Sequence, residues 1–230
     1  MNGHWTILIQ LGLCFLALFA IAELLYHIAR WKAEHTRKLV HAGTGILTLL
    51  FPLYLDHLWQ VVVICLAFLL LLWMSMRFHF LKSINAVKRQ TSGSILYPLI
   101  VIISFAYFKW QEADTVFEPY LHFYLPILIM AIADPVAAIA GSANQRIKGS
   151  PAAKSNTGSL GFFLTALAIS ILLLIIMPSS LNGVGMIAFI LAISLSATLA
   201  ERYTNGGWDN FTIPLAAIAV MFITSIIAGK

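Results

Sequence analysis

The sequence predicts an all-α, polytopic membrane bundle of about eight transmembrane helices, one of them broken at Asp134-Pro135. Three observations carry this. Of 230 residues, 60% are hydrophobic and only 10% charged, and the mean hydropathy is +0.90. The apolar residues come in runs of roughly 16 to 25, the length that spans a bilayer as helix. The basic residues sit almost entirely in alternate loops. A soluble domain of this size needs more polar surface than these residues provide.

The runs fall near 5–29, 39–55, 57–76, 94–109, 121–141, 159–178, 184–200 and 211–228. The first lacks a preceding Lys or Arg and is long for a leader, so Ala20-Ile21-Ala22 is expected to stay within a span. The second and fourth are short and would need to tilt or re-enter. The linkers are short, so 1–230 reads as a single integral membrane domain without repeats. Cys14 and Cys65 lie inside apolar runs and are expected to pack as small residues.

Charge orients the bundle. Arg30, Lys32, Arg37 and Lys38 share one loop. Arg77, Lys82, Lys88 and Arg89 share another. Arg146, Lys148, Lys154 and Arg202 complete the set. Together these are 12 of the 14 Lys and Arg residues. The opposite loops hold Asp56, Glu112, Asp114 and Glu118. The positive-inside rule then makes the basic loops cytoplasmic. The net charge of +5 is explained by this bias and by anionic lipid headgroups, with no nucleic acid partner. A bacterial inner membrane is the expected location. Ser194, Ser196, Ala197 and Ala200 offer small-residue packing surfaces, and a homo-oligomer is one use for them.

Ionisable residues within spans are expensive and mark candidate sites. Glu23, His27 and Arg30 follow the i, i+4, i+7 spacing of one helix face, as a supporting group or a structural ion pair. Arg37, Lys38 and His41 open the second run beside Gly43 and Gly45. Two cations and an imidazole at a helix start suit phosphate. In Ala133-Asp134-Pro135 the proline removes a backbone donor and disfavours helical geometry at Asp134. The span is expected to break there, with Asp134 capping a half-helix near the small residues Ala137, Ala138 and Gly141. An acid at that depth suits a magnesium ligand or a base for a lipid hydroxyl. Lys154, Ser155, Gly158 and Ser159 offer a cation, hydroxyls and free helix N–H groups to phosphate, or simply an N-cap. Glu201, Asp209 and Asn210 offer oxygen ligands for magnesium near one membrane surface. Thr91-Ser92-Gly93-Ser94 is a further polar helix start. All these groups fall on one side.

Four stretches, in this order, resemble a known family. Arg37-Lys38-x-x-His41-x-Gly43-x-Gly45, Asp134-x-x-Ala137-Ala138-x-x-Gly141, Lys154-Ser155-x-x-Gly158-Ser159 and Glu201 with Asp209-Asn210-x-x-x-Pro214 are similar to segments of the dolichol kinase, phytol kinase and CTP-dependent diacylglycerol kinase family. Such sequences are also described as phosphatidate cytidylyltransferase-like. The chain departs from the family in Ala133 before the Asp, and in the single glycine, Gly149, between Gly141 and Lys154. The Gly-His-Gly-Gly of CDP-diacylglycerol synthases is absent, as are a Walker A loop and a protein-kinase signature.

The resemblance implies a CTP-dependent lipid alcohol kinase with magnesium, acting on a membrane lipid such as phytol, farnesol, a polyprenol or diacylglycerol. It assigns Arg37, Lys38, Lys154, Ser155, Gly158 and Ser159 to nucleotide and phosphates. Asp134, Glu201, Asp209 and Asn210 go to the metal, with Asp134 or His41 receiving the hydroxyl proton. Glu23 and Gly141 are supporting. Two other readings are a cytidylyltransferase making CDP-diacylglycerol and a small-solute transporter, the latter weakened by the lack of an inverted repeat.

Overall fold

The computed structural model describes residues 2–78, 80–85, 93–148 and 154–229. Thr91, Ser92, Lys88, Arg89 and Gly149 lie outside them. The described residues form eleven helices: α1 (Asn2–His27), α2 (Ala33–Thr48), α3 (Phe51–Tyr54), α4 (Leu58–Phe78), α5 (Lys82–Asn85), α6 (Gly93–Trp110), α7 (Leu121–Leu128), α8 (Asp134–Lys148), α9 (Asn156–Ile176), α10 (Gly183–Tyr203) and α11 (Asp209–Ile227). A five-residue π turn, Ile129–Ala133, joins α7 to α8. The chain is an integral membrane helical bundle.

Among the described residues six helices are long and apolar enough to cross a membrane: α1, α4, the composite span Leu121–Gly141, α9, α10 and α11. The expected count of about eight is not confirmed at the two short runs. The second run is divided. α2 starts inside the basic loop, where Arg37 reaches Glu34 at 3.2 Å and the Thr36 hydroxyl donates to Ser83 O at 2.6 Å. It ends at Thr48, and Pro52 opens the short α3. The fourth run is an apolar helix over Ile95–Trp110. At 1.5 Å per residue each of these helices covers about 24 Å, less than the hydrocarbon thickness.

The composite span is the centre of the bundle. Over half of it is buried, 56% against 22–33% in the other five, and Phe123, Leu125, Ile127, Ile129, Met130 and Ala131 are fully enclosed. Around it the outer helices turn Leu13, Leu66, Leu70, Leu164, Ile175 and Leu195 outward, as lipid-facing surfaces require. Ser194 and Ala197 are fully buried. They pack α10 against its own neighbours and do not form an exposed oligomer surface.

The expected break at Asp134-Pro135 does not occur. Asp134 is helical, with φ −64° and ψ −50°, and is no cap. The chain absorbs the proline by widening one turn to π geometry. This preserves the helix through a region that lipid and packed side chains surround, where a free chain end would strand polar groups.

α2 lies tightly against the π turn. A Cβ on Gly45 would sit 2.1 Å from Ala131 Cβ and 2.9 Å from Tyr97 Oη. Neither neighbour can retreat, because Ala131 is fully enclosed and Tyr97 is buried. Gly45→Ala is expected to lower stability by about 1–3 kcal/mol, the usual effect of overpacking, read as a fall in the thermal midpoint in detergent.

Candidate functional site

The π turn prepares a hydrogen-bond acceptor. In π geometry Met130 O would receive the N–H five residues on, which is position 135. Proline has none. His41 takes the vacancy: its Nε2 lies 3.1 Å from Met130 O. A carbonyl only accepts, so Nε2 carries the proton and Nδ1 is left as the acceptor of a neutral ring. Tyr97 holds the ring edge-on, with centroids 5.1 Å apart, and its hydroxyl donates to His41 O at 3.3 Å.

His41 faces a cavity of about 530 Å³. From α2 come Arg37, Lys38 and His41. Asp134 and Gly141 belong to α8, and Lys154, Ser155, Gly158 and Ser159 to the start of α9. Glu201 closes α10, and Asp209 and Asn210 open α11. Residues from five helices, up to 173 positions apart, thus share one chamber. Asp134 is within electrostatic reach of His41, Lys154, Asp209 and Glu201.

Lys154 is the hub of the polar end. Its Nζ lies 2.8 Å from Glu201 Oε1 and 3.2 Å from Asp209 Oδ2, and also donates to the Glu201 carbonyl. Glu201 Oε2 is buried with no hydrogen-bond partner among the described residues, as is Arg37 Nε. A buried acceptor and a buried donor without partners thus belong to residues that line a cavity holding both signs of charge.

Several expected contacts have local structural work. Ser155 caps α9, its hydroxyl accepting from Gly158 N at 3.0 Å, so the N-cap reading holds. Gly141 and Gly158 are close-approach residues. A Cβ on Gly141 would meet Ser155 Oγ at 2.9 Å, and one on Gly158 would meet Ala137 O at 3.0 Å. Gly93, from the polar start of α6, plays the same part against Asn210, whose Nδ2 lies 2.6 Å from where its Cβ would be. Asp209 stands in the first turn of α11 beside the N-cap Trp208.

Glu23 does not line the cavity. Its Oε1 accepts from Ser83 N at 2.8 Å, and Oε2 pairs with His27 at 3.0 Å, so it ties α1 to the start of α5. Arg30 is not on that helix face, because α1 ends at His27 and Arg30 has φ 57°. Arg202 was legible only as a basic-loop charge. It donates to Ser159 Oγ at 3.2 Å and Asn156 Oδ1 at 2.9 Å, fixing the end of α10 to the start of α9. Its adjacency to Glu201 was the only available signal.

Among the described residues no group of three or more His, Cys, Asp or Glu could hold a metal ion. The donor chemistry nevertheless fits magnesium, which usually takes one or two carboxylates and completes its shell with water and substrate phosphate. Glu201 and Asp209, which line the cavity, are carboxylates of that kind. Lys154 already supplies one positive charge to Glu201 and Asp209. Lys154→Met would leave those carboxylates buried together without a counter-charge. We expect a loss of about 2–3 kcal/mol, somewhat below that for a fully buried pair because Lys154 retains some water contact. Adding Glu201→Gln should recover part of it, measured by unfolding in detergent.

The chain is 26% identical over 218 residues to the phytol kinase of Synechocystis sp. (strain ATCC 27184 / PCC 6803 / Kazusa), covering 91% of this chain and 87% of that enzyme. No family model matches, and no solved structure does. With the four stretches in their order, this near full-length similarity supports a dolichol kinase and phytol kinase-like family assignment.

Proposed function

We propose that the protein is a lipid alcohol kinase that transfers the γ-phosphate of CTP to the hydroxyl of a membrane lipid at the cytoplasmic face. The observation that carries this reading is the two-ended cavity. Arg37, Lys38, Lys154 and the start of α9 form a polar end suited to nucleotide phosphates. The same cavity continues into the bundle along apolar and aromatic side chains. A water-soluble donor and a lipid acceptor can meet there without either leaving its own phase. The similarity to a phytol kinase supports the same class of reaction.

Phosphoryl transfer depends chiefly on positioning and charge neutralisation. Arg37, Lys38 and Lys154 place positive charge around the phosphates, and the N–H groups opening α9 add donors. One or two of Asp134, Glu201 and Asp209, with Asn210, would hold magnesium, which supplies further neutralisation of phosphate charge. The lipid hydroxyl oxygen bonds to the γ-phosphorus as the β–γ bridging bond breaks, releasing CDP. His41 Nδ1 receives the hydroxyl proton, since Nε2 is committed to Met130 O. Asp134 stabilises the resulting imidazolium and contributes to the polar end.

CTP labelled at the γ-phosphate tests the reaction. Label in lipid is the expected result, whereas label in pyrophosphate would identify a cytidylyltransferase. A parallel ATP assay tests the donor. Asp134→Asn should remain folded and lose at least about a hundredfold in lipid phosphate formation, and wild-type turnover in that variant would refute its assignment.

A further inference from the structure

The apolar limb of the cavity has a direction. On α2 the lining residues run Arg37, His41, Thr44, Thr48, and then Phe51 at the start of α3, so the wall changes from charged to apolar with depth. The other helices agree. Phe19 and then Phe15 descend α1, Leu72, Phe68 and Ile64 descend the antiparallel α4, and Tyr97 and Val101 descend α6. The deep end is therefore bounded by Phe15, Phe51, Ile64 and Val101.

That end is closed by aromatic packing. Phe15 meets Phe51 edge-on with centroids 5.9 Å apart and Phe68 at 4.9 Å, while Phe19 meets Phe68 at 5.8 Å. Phe51 is 1% exposed. The Thr48 hydroxyl donates to Gly45 O at 2.7 Å, so it is already occupied by its own helix.

From His41 to Thr48 α2 rises about 10 Å, and the turn on to Phe51 brings the depth to at most about 15 Å. An extended chain advances roughly 3.5 Å per three backbone bonds, so this depth takes about a dozen carbon–carbon bonds. A cavity of about 530 Å³, in the range for one small ligand and shared with a nucleotide at its polar end, has no space for a second long chain.

Resting on the lipid kinase reading, we propose that Phe51, backed by Phe15, is the floor of a single-chain slot that sets the acceptor's tail length. The preferred acceptor is a single-chain alcohol of about a dozen main-chain carbons, near three isoprene units, and not a diacylglycerol or a long polyprenol. Phe51 is a specificity-determining residue. It lies well away from the reacting hydroxyl and acts only on how far a tail can enter.

The test is a length series. Purified full-length protein in detergent is given CTP with isoprenoid alcohols of two to eleven units, and diacylglycerol, and kcat/KM is read for each. Wild type should peak near three units. Phe51→Ala and the milder Phe51→Leu should move the peak to longer alcohols, improving the four-to-three-unit ratio by about tenfold in the alanine variant. Leu70→Ala, on the lipid-facing side of α4, should leave the profile unchanged. If Phe51→Ala does not fold, the leucine variant carries the same comparison. An active wild type whose length profile ignores both Phe51 variants, or which uses diacylglycerol as well as the three-unit alcohol, overturns the slot while leaving the kinase reading in place. A wild type that phosphorylates no alcohol overturns the kinase reading and the slot with it.

Discussion

The centre of this protein depends on one absent N–H group. Pro135 cannot donate to the carbonyl five residues back, and the π turn before it leaves Met130 O for another partner. Within a bundle that excludes water an unbonded carbonyl is costly. His41 satisfies it, and in doing so its ring is fixed in one tautomer with Nδ1 as the acceptor. The contact requires α2 to lie almost against the π turn, which is why Gly45 has no side chain to spare. Helix packing, imidazole orientation and the wall of the cavity are thus consequences of one proline.

The polar end follows a second constraint, charge balance in a poorly solvated site. Glu201 and Asp209 come from either side of the turn between α10 and α11, and both reach Lys154. Arg202 then ties that turn to α9. The lysine holds two carboxylates that would otherwise repel one another, while Glu201 Oε2 is buried with no hydrogen-bond partner among the described residues. A separate polar cluster ties the connection before α7 to α7 and α11. Asp114 Oδ2 lies 3.1 Å from His122 Nε2 and accepts from the Ser225 hydroxyl at 2.6 Å, joining the connection before α7 to the end of α11.

Much of the candidate site was legible because membrane helices make polar residues conspicuous. Arg37, His41, Asp134, Lys154, Glu201 and Asp209 stood out against apolar surroundings, and they line one cavity. Glu23 stood out for the same reason and proved to serve α5. Residue type and spacing are equal in the two cases, so only the neighbour Ser83 distinguishes them. The span count was less legible at α2, whose charged first turns and later apolar turns belong to one helix. The aromatic floor was not legible at all, since Phe15, Phe51 and Phe68 are ordinary apolar residues in ordinary apolar runs.

The sequence by itself determined a helical membrane protein with its basic residues gathered in alternate loops. Hydrophobic length and loop charge are local properties, and they act on each segment independently of its neighbours. The tertiary structure decided how Pro135 would be accommodated, which acid would meet Lys154, and where the apolar limb would end. Those outcomes depend on which groups remain unsatisfied when several helices close around one another, and a missing hydrogen bond acquires a partner only once the packing supplies it.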